Sequence, residues 1–214
     1  MVREIVFGEE TPKMTRKMAP IVAVTTLILS AHAGASQSVL KQTQALVKAL
    51  EAVETPPKGQ SFSKAAIKAN QSAFSRLDRF FDFNTLTSKA IEPHLDHLNK
   101  EQTKRFKAVF KKLIRLSSYA RSGSFLDGAD YTLKRTDDPM SIALDAYVPA
   151  EDYETTVVFH WAKRGDDLKL IDTSFDGSSL VRNYQNQFGR IIKKEGVEGL
   201  LTKLQDRLDK VQSS

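Results

Sequence analysis

The stretch KLIDTSFDGSSLVRNYQNQFGRIIKKEGVEGLLTKLQDRL, residues 169–208, decides the fold of this chain. It begins as a strand, turns at Gly177-Ser178-Ser179 and continues through two helices whose apolar residues recur every three or four positions. The first carries Leu180, Val181, Tyr184, Phe188, Ile191 and Ile192, and the second carries Val197, Leu200, Leu201, Leu204, Leu208 and Val211. Each set shares one helical face. Neither face carries a nucleophile, a metal-ligand cluster or a phosphate loop, so the pattern favours an apolar binding surface over catalysis.

The N-terminus has the pattern of an export signal. A short basic segment begins at Met14 and is followed by an apolar run at residues 19–29. The small residues of Ala31-His32-Ala33-Gly34-Ala35 then match the cleavage site of a signal peptide. This order is typical of a secretory signal peptide, and the run is shorter than the about 20 residues of a spanning helix. We predict a signal peptide at residues 1–35, with Met14 as an alternative start, and one domain at residues 36–214. An N-terminal membrane anchor is the alternative interpretation.

The cysteine content and the net charge limit the kinds of fold and partner that the chain can have. The chain has no cysteine, so an exported domain would depend on its apolar core alone. Its formal net charge is +6, but no concentrated basic stripe accompanies it, which disfavours nucleic acid as a partner. We predict a monomer in the bacterial periplasm, with no cofactor and no metal site.

The first half of the mature chain has helical periodicity. A first helix is predicted over residues 39–53, ended by the break at residues 55–59. Ser61 is the predicted cap of a second helix that ends near Phe81. Asp82 is the predicted N-cap of a short helix through Ala90. Asn99 and Gln102 then form the pattern of a capping box.

From Ala129 the apolar period changes to two, which predicts strands. Four strands with short turns indicate an antiparallel meander, and helices on both sides of it in sequence give an α+β fold. Large aromatics share one sheet face, namely Tyr131, Phe159, Trp161 and Phe175. We predict a curved four-stranded antiparallel sheet packed with helices. These aromatics either pack together or line an apolar pocket.

Two blocks of the sequence resemble the MlaC family of periplasmic phospholipid-binding proteins, also called toluene-tolerance auxiliary proteins. The C-terminal block is Asp172, Gly177-Ser178-Ser179-Leu180-Val181, Asn183-Tyr184, Gln187-Phe188 and the Gly196–Leu201 run. The helical block is Phe81-Asp82-Phe83, Glu101-Gln102, Arg105-Phe106, Phe110, Leu113 and Tyr119. The chain departs from the family pattern at two positions and in one segment: Leu168 replaces an aromatic, Gln185 replaces an arginine, and residues 91–94 replace a Gly-x-x-Trp type segment.

The resemblance implies a non-enzymatic lipid carrier. Members of the family carry phospholipid between an outer-membrane lipoprotein and porin complex and an inner-membrane ABC transporter complex, which maintains outer-membrane lipid asymmetry. The acyl chains would lie in a pocket between the sheet and the helices. Our candidate lipid-binding residues are Phe81, Phe83, Leu113, Tyr131, Leu133, Leu144, Phe159, Trp161, Phe175, Tyr184 and Phe188.

Other patterns leave alternatives open. Lys107, Lys111, Lys112 and Arg115 form one basic helical face, which is either solvated or a docking surface for a partner. A hydrolase that uses His94, His97 or Asp172 is one alternative function. An adaptor that only bridges envelope proteins, with a filled core, is the other.

Overall fold

The computed structural model describes residues 31–55 and 63–212, with side chains from residue 37 onward. The predicted signal peptide therefore lies almost entirely outside the described residues, as do the Pro56-Pro57 break and the Ser61 cap. In the part that is described, no helix is long and apolar enough to cross a membrane.

Seven α-helices are present in the described residues. They are α1 (Ala31–Glu51), α2 (Lys64–Ala69), α3 (Gln71–Asp78), α4 (Phe83–Ile91), α5 (Lys100–Leu113), α6 (Ala120–Asp127) and α7 (Leu180–Gln212). A π-helical turn, Ile114–Tyr119, joins α5 to α6, and 3-10 turns lie at Glu92–His97 and Pro149–Glu151. Gly196, with φ +74°, interrupts α7, so the C-terminal region consists of two helices, as predicted.

The predicted caps of α4 and α5 are confirmed. Asp82 accepts a hydrogen bond from the backbone N–H of Thr85 at 3.0 Å. Asn99 and Gln102 exchange side-chain-to-backbone hydrogen bonds of 2.9 Å in both directions, which completes the capping box. Each cap satisfies backbone donors that a helix start leaves without partners.

The single helix predicted before Phe81 is wrong, because α2 and α3 are separate helices that meet at Asn70. The buried Asn70 side chain accepts from the backbone N–H of Glu54 at 3.0 Å and donates to its carbonyl at 2.9 Å. These two bonds tie the junction to the segment after α1. The bend therefore follows from a long-range contact that helical periodicity cannot report.

The sheet has five strands in the order β1-β2-β3-β4-β5, all antiparallel. They are β1 (Asp130–Arg135), β2 (Ser141–Val148), β3 (Tyr153–Arg164), β4 (Asp167–Phe175) and β5 (Ser178–Ser179). The α+β class and the curved antiparallel sheet are confirmed, but the strand number of four is wrong. Asp176 and Gly177 both have positive φ and form a tight turn that folds Ser178-Ser179 back onto β4.

The two faces of the sheet differ as predicted from the alternation. Ile142 and Leu144 on β2 and Phe159 on β3 are buried against the helices. His160 lies on the opposite face, where its ring nitrogens are 3.0 Å from Ser141 Oγ and 2.8 Å from Ser174 Oγ. One face of the sheet therefore faces the helices and can enclose apolar space with them.

Asp82 makes the fold sensitive to acid. Burial opposes ionisation of this carboxyl, but hydrogen bonds from Thr85 and the Arg164 guanidinium, 2.7 Å away, lower its pKa from 3.8 to about 2. Because the pKa is lower in the folded state than in the unfolded state, the ionised carboxylate stabilises the fold above pH 4. This stabilisation is lost as the carboxyl is protonated between pH 4 and pH 2.

Asp82→Asn, which keeps a capping side chain, is expected to lower the free energy of unfolding at pH 6 by about 2 kcal/mol. The gap to the wild type should close between pH 4 and pH 2, as measured by urea unfolding. A gap that stays constant across this range would contradict the role given to the ionised carboxyl.

Candidate functional site

An apolar cavity of about 160 Å³ lies between the buried face of the sheet and the helices. Helices α1, α4, α5, α6 and α7 and the π-helical turn contribute to its lining, as do strands β2, β3 and β4. Its apolar lining consists of Leu46, Leu50, Phe81, Leu86, Phe110, Ile114, Tyr119, Phe125, Leu126, Leu144, Tyr153, Val157, Phe159, Leu170, Phe175, Leu180, Val181 and Tyr184. Ser118, Arg121, Ser122, Thr155, Asp172 and Thr173 complete the lining. The predominantly apolar surface suits a hydrocarbon ligand.

Five of the candidate lipid-binding residues line this cavity. They are Phe81, Leu144, Phe159, Phe175 and Tyr184. Leu144, Phe159 and Phe175 come from the sheet, Tyr184 comes from α7, and Phe81 precedes α4. Phe81 and Tyr184 belong to the two blocks of sequence that resemble the family, and the structure brings them together at this cavity. Whether they contact lipid stays a prediction.

The other six candidates do not line the cavity. They are Phe83, Leu113, Tyr131, Leu133, Trp161 and Phe188. Phe83 stacks on Phe81 with ring centroids 5.5 Å apart, and Phe188 packs edge-on against Phe106 and Phe110. Phe83 and Phe188 therefore pack against the lining residues Phe81 and Phe110.

Two of these six are held by hydrogen bonds that their sequence pattern does not reveal. Trp161 Nε1 donates to Thr43 Oγ1 of α1 at 3.0 Å, which ties the sheet to the first helix. Tyr131 donates to Glu51 at 2.6 Å, and this bond, together with burial, raises the pKa of Tyr131 to about 12. Both aromatics therefore hold α1 against the sheet.

Sequence reasoning missed many of the helical lining residues. Leu46, Leu50, Phe110, Leu180 and Val181 belong to the predicted apolar stripes, so their burial was predictable. Their contact with a cavity could not be predicted, because it depends on the distance between each helix and the sheet. Val157, which lies on the same face of β3 as Phe159, could have been found from the strand alternation.

Asp172 is fully engaged at the corner between β4 and α7. Its carboxylate accepts from the backbone N–H groups of Thr173 and Val181 at 2.8 and 3.1 Å, and from Ser179 Oγ at 2.5 Å. The side chain thus fixes the strand-to-helix corner. Ser179 also caps the helix, since its Oγ accepts from the N–H of Arg182 at 3.1 Å.

The basic face predicted on α5 is largely engaged within the fold. Arg115 makes a bidentate ion pair with Asp78, and Lys111 lies 3.3 Å from the same carboxylate. Lys107 donates to Asn84 at 2.8 Å, whereas Lys112 is exposed. The four side chains therefore do not form one free cationic surface.

The two histidines do not assemble a metal centre. No group of three or more potential ligand side chains that could hold a metal occurs within residues 31–55 and 63–212. His94 instead packs against α7 at Gly189, where an added Cβ would lie 2.6 Å from His94 Nε2. Gln185 of the same helix donates to the carbonyl of Lys89 at 2.6 Å. Two departures from the family pattern thus form the contact between α7 and the end of α4.

A family model described as MlaC protein matches residues 43–206, which is most of the chain. The chain belongs to the MlaC family. The family predicted from the sequence is thereby confirmed. The match includes α2 to α6 and the whole sheet, and every residue of the cavity lining lies within it.

A solved structure has the same fold as this MlaC-family chain. It is the phospholipid-binding protein from Ralstonia solanacearum, determined in complex with a phospholipid, with a TM-score of 0.58 and 18% sequence identity. The alignment covers 83% of this chain and 98% of the other. At this identity the likeness supports the fold alone. A comparison with curated proteins finds no match.

Proposed function

We propose that this MlaC-family chain binds a phospholipid through the apolar cavity between its sheet and its helices. The observation that carries the proposal is the cavity itself, whose lining is predominantly apolar on both the sheet side and the helix side. Burial of an acyl chain contributes about 0.8 kcal/mol per methylene. A carrier can therefore hold two chains tightly with few polar contacts.

The cavity volume indicates that the protein widens when lipid enters. A volume of about 160 Å³ is close to that of an engineered apolar cavity, roughly 150 Å³, that admits benzene. It therefore holds part of one acyl chain. Two complete chains therefore require the helices to move away from the sheet.

We also propose a finer role, which membership of the family supports. The protein shuttles phospholipid through the periplasm between an outer-membrane lipoprotein and porin complex and an inner-membrane ABC transporter complex, and so maintains outer-membrane lipid asymmetry. It acts as a monomer without a cofactor. Of the four residues of the basic face, Lys112 is the exposed one proposed for docking to these partners, because Lys111 and Arg115 bind Asp78 and Lys107 donates to Asn84.

A hydrolase or a simple adaptor fits the site less well. Asp172 has its carboxylate occupied by three hydrogen bonds at the corner, and His94 packs on α7. An adaptor with a filled core would not need the apolar cavity that the structure contains. The carrier accounts for both the cavity and the structural use of these polar residues.

The experiment is to express the full chain with its own signal, purify the exported form and extract it with organic solvent for mass spectrometry. We expect about one phospholipid per protein molecule. The delipidated protein should also take up phospholipid from vesicles. Absence of both bound lipid and uptake would overturn the proposed function.

A further inference from the structure

The outward side of the first half of α7 carries four exposed cations. Arg182, Arg190, Lys193 and Lys194 are here called the cationic face of α7. With 3.6 residues per helical turn, these positions fall within a sector about 120° wide. They are spread over residues 182–194 and do not form a basic run in the sequence, so only the helix brings them onto one side.

No acidic residue occurs in residues 180–194 to neutralise these cations. None of the four forms an ion pair with any residue that the structure describes. The two acids that follow on α7 have other partners, because Glu195 lies 3.3 Å from Lys203 and Glu198 lies 3.3 Å from Arg105. The charges of the cationic face are therefore available to a partner outside the fold.

Helix α4 and the 3-10 turn after it lie beside this face. The carbonyl of Lys89 accepts from Gln185 of α7 at 2.6 Å, and the Lys89 side chain is exposed. The turn carries two exposed carboxylates, Glu92 and Asp96. Five cations therefore outweigh two carboxylates, and the combined surface keeps a positive charge.

The cationic face has no exposed apolar side chain at its centre. Among the residues that the structure describes, the exposed large apolar side chains are Tyr147 and Tyr153, and both belong to strands. Interfaces between proteins usually bury an aromatic or aliphatic centre, and lysine is depleted in them. A row of long cationic side chains without such a centre suits a negatively charged surface of no fixed shape, such as a bilayer with anionic head groups.

Exposed carboxylates are concentrated in a different place, where β1 begins and β2 connects to β3. Asp130 pairs with Tyr147 across β1 and β2, and Tyr147 pairs with Glu154 across β2 and β3. Glu151 and Asp152 lie in the connection between β2 and β3 and are also exposed. An anionic bilayer repels this end of the sheet and attracts the cationic face, so the two surfaces together orient the molecule.

We propose that the cationic face of α7 docks this protein on the surface of a bilayer that contains anionic phospholipid. The inference goes beyond the proposed function, because these cations lie on the side of α7 opposite to Leu180, Val181 and Tyr184, which line the cavity. A docked molecule therefore has a cavity-lining helix at the lipid surface. Each cation near the surface strengthens the binding about fivefold, and a purely electrostatic contact stays reversible.

The test is co-sedimentation of the exported protein with vesicles of phosphatidylglycerol and phosphatidylcholine, compared with vesicles of phosphatidylcholine alone. The wild type should bind the anionic vesicles and not the neutral ones. Raising the salt from about 0.1 M to about 1 M should abolish the binding, because the Debye length shortens from about 10 Å to about 3 Å. Arg190→Gln should weaken the binding about fivefold, and replacement of all four cations by glutamine should weaken it more than about a hundredfold.

The matched control replaces four exposed lysines of α1 and α2 by glutamine and so changes the net charge by the same amount. They are Lys41, Lys48, Lys64 and Lys68. The control should bind anionic vesicles nearly as the wild type does, and the fourfold variant of α7 should keep its bound phospholipid, as mass spectrometry of an organic extract measures.

Three outcomes would overturn the docking face and leave the proposed function standing. They are wild-type binding that does not distinguish anionic from neutral vesicles, equal weakening by the α7 variant and the control, and anionic-vesicle binding that the α7 variant retains. Loss of bound phospholipid from the fourfold α7 variant would also overturn it, because these cations would then act in lipid binding. A wild type that contains no phospholipid and takes none up, yet binds anionic vesicles, would contradict the proposed function and support the docking face.

Discussion

Val157→Trp is expected to weaken phospholipid binding and to raise the dissociation constant about a hundredfold. Val157 is buried on β3 and lines the cavity, so a larger side chain there occupies the space of an acyl chain. Exclusion of about four methylene groups removes roughly 3 kcal/mol of transfer free energy. The measurement is the dissociation constant for phospholipid, together with the lipid content of the purified protein.

The neighbouring residue provides a matched control. Val158 lies on the opposite face of the same strand, so Val158→Trp adds the same volume outside the cavity. The control should bind lipid as the wild type does, and both variants should unfold cooperatively. Overpacking of a filled core typically destabilises by 1–3 kcal/mol, so thermal unfolding also reports whether the space exists. Equal lipid loss in both variants would contradict the cavity as the lipid site.

Asp78→Ala is expected to lower the free energy of unfolding by about 3 kcal/mol. The carboxylate accepts from Arg115, from Lys111 and from the Tyr119 hydroxyl. The hydrogen bond to Asp78 raises the pKa of Arg115, as expected for a guanidinium held against a carboxylate. Removal of Asp78 leaves both the guanidinium and a buried hydroxyl without their acceptor. Urea unfolding measures the effect.

An exposed ion pair is the control for this variant. Asp167 lies 3.0 Å from Lys169 and its side chain is 69% exposed, so Asp167→Ala should change the free energy of unfolding by less than about 1 kcal/mol. Asp78→Asn, which keeps an acceptor for Tyr119, should lie between the two. A loss below 1 kcal/mol for Asp78→Ala would mean that the pair with Arg115 does not hold the π-helical turn in place.

The basic face illustrates what sequence spacing leaves undecided. Lys111 and Arg115 are four residues apart and predict a shared face, which the structure confirms. Their partner Asp78 comes from α3, 33 and 37 residues earlier, and no local pattern signals that contact. A charge reversal at Lys111 would therefore disturb Asp78 as well as any docking surface, whereas Lys112 offers an exposed position for that test.

Some departures from the family pattern also acquired a structural role only through tertiary contacts. Gln185 on α7 donates to the carbonyl of Lys89 on α4. His94, in the 3-10 turn after α4, packs against Gly189 on α7. Both residues therefore hold α7 against α4 and the turn that follows it. Leu168 offers its carbonyl to Gln42 of α1 at 3.4 Å. The sequence shows that these residues differ from the family, but the fold shows what they hold together.

The sequence by itself determined the family, the α+β class, the caps at Asp82 and Asn99 and the side of each strand that faces the helices. These features depend on local hydrogen bonds and on apolar periodicity, which a short window of residues contains. Only the tertiary structure showed that Ser178-Ser179 forms a fifth strand and which apolar residues line a cavity. Which residues line the cavity depends on the separation between the helices and the sheet. Trp161 and Phe159 share a strand face, yet Trp161 is bound to Thr43 of α1 while Phe159 faces the cavity.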